Sequence, residues 1–167
     1  MIYLTQGLPA TMASNFNTEL ILTRLVHRSA RSLDDHDFDG YLEFFDNDGE
    51  YIITAKTPEL SEPMVWMKQT RDELVERIQA MNEHEWEVAL VEQTRILSVD
   101  TIEIKETDAE VSTSFAVYHT DQAGVTMCYA VGRYEDQWHL RSDKWLLCRR
   151  EVVLKTRQLH ILSPLPI

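Results

Sequence analysis

Trp145–Leu159 reads WLLCRREVVLKTRQL, with no glycine or proline in it. Taken with a period of two, one set of side chains is Leu146, Cys148, Arg150, Val152, Leu154 and Thr156. The other is Trp145, Leu147, Arg149, Glu151, Val153, Lys155 and Arg157. The first set is apolar up to Leu154 except for Arg150, and the second mixes apolar and charged groups. That alternation predicts a β-strand with one face on a core. At about 3.3 Å per residue it would extend roughly 50 Å, which suits the backbone of a strongly bent sheet better than a flat edge. Ser163-Pro164-Leu165-Pro166-Ile167 follows, and its prolines stop the ladder.

Working outward, Arg141-Ser142-Asp143 turns the chain into this strand from a preceding one, Val125 to Leu140, in which Gly132 marks a bulge or bend. A turn at Asp121-Gln122-Ala123-Gly124 separates that strand from Glu110–Thr120, whose Val111, Thr113, Phe115 and Val117 share one face. Before it come Val91–Val99 and, past a bend, Thr101–Lys105. Sequential strands with short connections predict an antiparallel meander. The first half reads differently. Asn15–Leu33 carries Phe16, Leu20, Leu22, Leu25, Val26 and Leu33 at helical spacing, with Asn15 or Asn17 as cap. Asp37 or Asp39 can cap a short second helix bearing Tyr41, Leu42, Phe44 and Phe45. A turn at Asn47-Asp48-Gly49 leads to a strand over Glu50–Lys56, and residues 57–69 form a loop holding Pro58 and Pro63. Thr70-Arg71-Asp72-Glu73 is a capping box opening a helix with Leu74, Val75, Ile78 and Met81 on one face, fraying near Asn82–Glu85. Helices first and a curved sheet after them make an α+β domain with the helices on one face. It occupies residues 15–167, with residues 1–14 as an extension; Met12-Ala13-Ser14 reads like a second start.

The net charge of −12 excludes a basic footprint for nucleic acid and an anionic membrane as partner. No apolar run approaches the roughly 20 residues of a membrane span, and the N-terminal stretch lacks the basic region of a secretory signal. Cys128 and Cys148 make no disulfide framework, so a reduced, cytoplasmic compartment is the simplest reading.

Asp35-His36-Asp37-Phe38-Asp39-Gly40, with Asp46 twelfth, resembles a calcium loop. The simpler alternative has these carboxylates capping a helix. His27, His36, His84, His119, His139 and His160 show no metal-ligand spacing, although His119 and His139 could approach across neighbouring strands. Both cysteines read as small buried residues that neighbouring strands could bring close. Arg150, on the apolar face, requires an acid: an internal one such as Glu92 or Glu110, or one on another chain. Trp66, Trp86, Trp138 and Trp145 are many for a core of this size, and aromatics and Arg are enriched in interfaces.

The order of these elements resembles the small (beta) subunits of Rieske non-haem iron aromatic-ring-hydroxylating dioxygenases. The resemblance spans residues 15–167. It rests on Arg31-Ser32-Leu33-Asp34-Asp35-His36-Asp37 with Tyr41 and Phe44-Phe45, then Asp48-Gly49-Glu50-Tyr51, and Trp66. It continues through Arg71, Glu73-Leu74, Arg77-Ile78 and Gly132-Arg133-Tyr134-Glu135-Asp136, and is closest in Arg150-Glu151-Val152-Val153-Leu154-Lys155-Thr156-Arg157. It implies a cystatin-like cone, with helices in the concavity of a bent antiparallel sheet. It also implies a non-catalytic subunit without cofactor or metal, self-associating as a trimer within a hexamer. The large (alpha) subunit there holds the Rieske 2Fe–2S cluster and a mononuclear iron. That complex would place oxygen on an aromatic ring with electrons from NAD(P)H. Two Cys and two His in paired spacing, which a Rieske centre needs, are absent from this sequence. Interface candidates are Trp66, Trp145, Arg149, Arg150 and Arg157. The competing reading is a stand-alone isomerase or dehydratase on the same cone, with Asp37, Glu50 or Asp48 as general base and Tyr41 or His119 as donor.

Overall fold

A computed structural model describes residues 10–57, 61–83, 92–159 and 166–167. Three helices, α1 (Ala10–Asp34), α2 (Phe38–Leu42) and α3 (Arg71–Glu83), accompany six strands: β1 (Phe45–Ala55), β2 (Met64–Thr70), β3 (Glu92–Lys105), β4 (Asp108–Thr120), β5 (Thr126–Arg141) and β6 (Lys144–Leu154). The strands form one sheet in the order β2-β1-β6-β5-β4-β3. α1 packs on β3 and α3 on β1, so the helices lie on the concave side.

The helix ends follow from local chemistry. α1 closes with His36 at a positive φ of 57°, and the Asp37 and His36 N–H groups return to the carbonyls of Ser32 and Leu33. Asp37 then caps α2 by accepting from the Gly40 N–H at 3.0 Å. At α3 the capping box forms: Thr70 Oγ1 accepts from the Glu73 N–H, and Glu73 Oε2 accepts from the Thr70 N–H at 2.7 Å. Residues 84–91, including His84 and Trp86, lie outside the described residues.

Four expectations about the strands need correction. The loop over residues 57–69 contains the edge strand β2. β1 starts at Phe45, with Asn47-Asp48-Gly49 inside it as a register irregularity, and it pairs with β6 in parallel, so the sheet is not a pure meander. β6 ends at Leu154 rather than Leu159, because the Lys155 and Thr156 N–H groups turn to the Val131 carbonyl and Thr156 Oγ1 accepts from the Val131 N–H. Gly132 is not bulged. It pairs in register with both Phe115 and Leu154, and a Cβ there would lie 2.5 Å from the Val153 carbonyl oxygen and 2.8 Å from the Phe115 ring.

The bulges fall elsewhere. Trp66 in β2, Asp100 in β3, Tyr129 in β5 and Cys148 in β6 are each skipped in the pairing. An extra residue reverses the inward parity and sharpens the bend. In β6, Trp145 and Leu147 face the core before Cys148, and Arg150, Val152 and Leu154 after it. A strict period of two over residues 145–159 therefore puts Trp145 and Leu147 on the wrong face. α1 also begins five residues earlier than expected, at Ala10, and Phe16 and Leu20 are exposed on its first turns.

Candidate functional site

Two surfaces carry the polar chemistry: the interior of the cone and the outward face of the sheet. Inside, register sets Tyr51, Arg150, Asp136 and Val111 in one row across β1, β6, β5 and β4. Arg150 donates from Nε to Asp136 Oδ1 at 2.8 Å and from Nη2 to Asp136 Oδ2 at 2.7 Å, and both side chains are wholly buried. Its Nη1 and Nη2 also reach Ser29 Oγ at 3.2 Å, and the guanidinium lies 4.6 Å from the Tyr134 ring centroid. Burial alone would lower the Arg150 pKa, but Asp136 and the hydroxyls of Tyr41 and Tyr134 more than offset it, and it stands well above the ordinary value. Burial likewise pushes Tyr41 up to about 12. The partner is thus neither Glu92 nor Glu110, and Arg150, a candidate for subunit contact, is an internal charge. Asp136 stands between Tyr134 and Trp138 on the inward face of β5, and the β5–β6 register sets it opposite Arg150.

A second cluster gathers on β3 and β4. Arg95 of β3 donates to Asp34 Oδ1 at 2.5 Å, to Gln93 Oε1 at 3.0 Å and to the Pro166 carbonyl at 2.8 Å. His119 stacks on Tyr129 with centroids 3.8 Å apart and planes 14° from parallel. Its pKa is lowered, first by burial and then by the Arg95 charge. No local sequence pattern links Arg95 with Asp34 or Pro166, because these contacts join residues far apart in the chain.

The outward face bears a relay of exposed and half-exposed charges. Lys68 Nζ is 2.9 Å from Glu50 Oε1, Arg149 is 3.8 Å from Glu50 and 2.9 Å from Glu151, and Thr54 Oγ1 donates to Glu151 at 2.9 Å. Beside it a cavity of about 320 Å³ is lined by Glu103, Glu110, Glu135, Gln137 and Glu151 with Arg149. Of the other interface candidates, Trp66 is 37% exposed on the edge strand and Arg157 is exposed. Trp145 is nearly buried, lining a groove with Leu25, Arg28 and Phe44.

The remaining candidates separate. Asp35 pairs with Arg31, Asp37 caps α2, and Asp46 binds Arg141, so three of the four carboxylates of the calcium-like run are engaged within the chain, and Asp39 is exposed. Of the three general-base candidates, Asp37 is exposed at the α2 cap, Glu50 is on the outward face and Asp48 is exposed, so none joins Tyr41 or His119 inside the cone. His119 and His139 lie at opposite ends of the β4–β5 pair. Cys128 is exposed rather than buried, and the register puts it about ten residues along β5 from Cys148. Among the described residues no group of three or more His, Cys, Asp or Glu is placed to hold a metal ion. No described helix is long and apolar enough to cross a membrane.

Comparison with known proteins fits this frame. The chain is 32% identical over 148 residues to the beta subunit of 2-aminobenzenesulfonate 2,3-dioxygenase from Alcaligenes sp., covering 87% of this chain and 97% of that one. It is 28% identical to the beta subunit of the methanesulfonate monooxygenase hydroxylase of Methylosulfonomonas methylovora, covering 85% and 83%. The fold matches a crystal structure assigned as the beta subunit of an aromatic-ring-hydroxylating dioxygenase from Novosphingobium aromaticivorans. That match has a TM-score of 0.77 at 19% identity and covers 87% and 94% of the two chains. The model of the ring hydroxylating beta subunit family matches residues 28–160. This cone, with its charged interior and its relay of outward charges, therefore belongs to the beta subunits of ring-hydroxylating dioxygenases, components of oxygenases in which a large alpha subunit is the partner.

Proposed function

We propose that this chain is the non-catalytic assembly subunit of a multicomponent Rieske oxygenase, forming a trimer of itself within a hexamer shared with the large subunit. The Rieske cluster and the mononuclear iron belong to that partner in this reading, as does the hydroxylation of an aromatic ring with electrons from NAD(P)H. The observation that carries it is the family match over residues 28–160, on a cone in which, among the described residues, the wholly buried acid Asp136 is neutralised by Arg150. A general base needs a free, titrating carboxylate in reach of substrate, and a doubly hydrogen-bonded ion pair does not offer one. Both relatives are named for sulfonates, so aromatic sulfonates are the first substrates to try.

The test is reconstitution with the large subunit of the same organism. Iron and acid-labile sulfide are expected in the large subunit alone, with ring hydroxylation that rises when this chain is added. Turnover by this chain in isolation would overturn the reading.

A further inference from the structure

Ile167 is part of the hydrophobic core, only 5% exposed. It and Pro166 are held by two strands far apart in the sheet. From β1, the Tyr51 hydroxyl accepts from the Ile167 N–H at 2.9 Å and donates to the Ile167 carbonyl oxygen at 3.3 Å. From β3, at the opposite side of the sheet, Arg95 Nη2 donates to the Pro166 carbonyl oxygen at 2.8 Å. Four hydrogen-bonded strand pairings separate β1 from β3 in the order β1-β6-β5-β4-β3, so the dipeptide bridges across the concavity. Its holders are built for the task. Tyr51 is wholly buried and Arg95 is 9% exposed, its guanidinium fixed from behind by Asp34 and Gln93. His119, 8% exposed beside Arg95, keeps its Nε2 without a hydrogen-bond partner, and Arg95 Nε is likewise unpartnered. Buried polar atoms without partners are costly, and Arg95, which holds the Pro166 carbonyl through Nη2, keeps donor capacity to spare at Nε.

We infer that Tyr51 and Arg95, with His119 beside Arg95, form a ligand site inside the cone for a short peptide-like group, an apolar side chain flanked by amide N–H and carbonyl, which the chain fills with its own Pro166–Ile167. The apolar side chain of Ile167 joins the core while Tyr51 reads its N–H and carbonyl together and Arg95 reads the preceding carbonyl. Proline at position 166 suits such an in-built occupant, because its fixed φ lowers the entropy lost on seating. The site is closed by occupation rather than absent. This inference is independent of the assembly role, since it concerns only contacts within one chain.

The test uses the full chain and a variant lacking only Pro166 and Ile167, with acetyl-Leu-Pro-Ile, the sequence of residues 165–167, as the probe. The shortened chain is expected to melt at lower temperature, and the tripeptide to restore its melting temperature saturably at millimolar concentration. The full chain should show no shift, and acetyl-Leu-Pro-Asp should not rescue. Equal melting of both chains, or no shift of the shortened chain with the tripeptide, overturns the inference. If the shortened chain does not fold, Ile167→Ala and Tyr51→Phe in the full chain decide. Effects on the unfolding constant that depart from the product of the single effects by threefold or more support the site, and independent effects overturn it.

Discussion

Asp136 and Arg150 stand directly opposite each other on β5 and β6, joined by two parallel hydrogen bonds with both side chains wholly buried. Desolvating two charges is expensive, and their attraction offsets that cost only because the geometry is bidentate and Ser29 and Tyr134 complete the guanidinium's surroundings. Asp136→Ala leaves an uncompensated cation in the core and is expected to cost about 3–5 kcal/mol in denaturant unfolding. The double replacement Asp136→Leu/Arg150→Met should recover most of that loss, read as a large coupling in a double-mutant cycle.

Gly132 stands where β4, β5 and β6 press together, and the nearest atom to a new Cβ is a backbone oxygen that cannot swing aside. Gly132→Ala is expected to destabilise the fold by about 1–3 kcal/mol, as overpacking does. Gly124, at φ 80° with open space around it, has a different constraint. There Gly124→Ala should cost about 1 kcal/mol through backbone strain alone. Urea unfolding of the two variants compares them directly.

The element types were legible because hydrophobic periodicity and capping are local. The Thr70–Glu73 box and the inward set Val111, Thr113, Phe115 and Val117 needed no tertiary information. The bulges were not. A skipped residue such as Cys148 or Tyr129 leaves no mark on composition, yet it flips the parity of everything after it. The parallel β1–β6 pairing also escaped local reading, since those strands lie about a hundred residues apart. The need of Arg150 for an acid was readable from its place among apolar neighbours. Choosing Asp136 required the β5–β6 register, which Cys148 shifts by one.

His119 has a depressed pKa because burial and the Arg95 charge both disfavour its protonated form. The unfolded chain takes up this proton near the ordinary value of 6.5, whereas the folded chain does so only at lower pH. Stability from this group is therefore intact above 6.5 and declines as pH falls below it toward the folded value. His119→Phe keeps a ring against Tyr129 and removes the titration. Melting curves from pH 7.5 to 5.5 should show the wild type losing more stability than the variant over that window.

Trp66 is the bulged residue of the edge strand β2 and is 37% exposed, so the fold makes limited use of its ring. Trp66→Ala should leave the stability of the isolated chain within about 1 kcal/mol. If the indole anchors a subunit contact, the same change should weaken assembly by about 2 kcal/mol, roughly thirtyfold in dissociation constant. Denaturation of the lone chain and sedimentation of the assembled complex separate the two effects.

The most direct measurement is the mass and composition of the particle formed when this chain is co-expressed with the large subunit of its own organism, read by light scattering on a sizing column. A single particle containing three copies of each chain is the expected result. Elution of this chain as a lone monomer, with the large subunit fully active without it, would contradict the account.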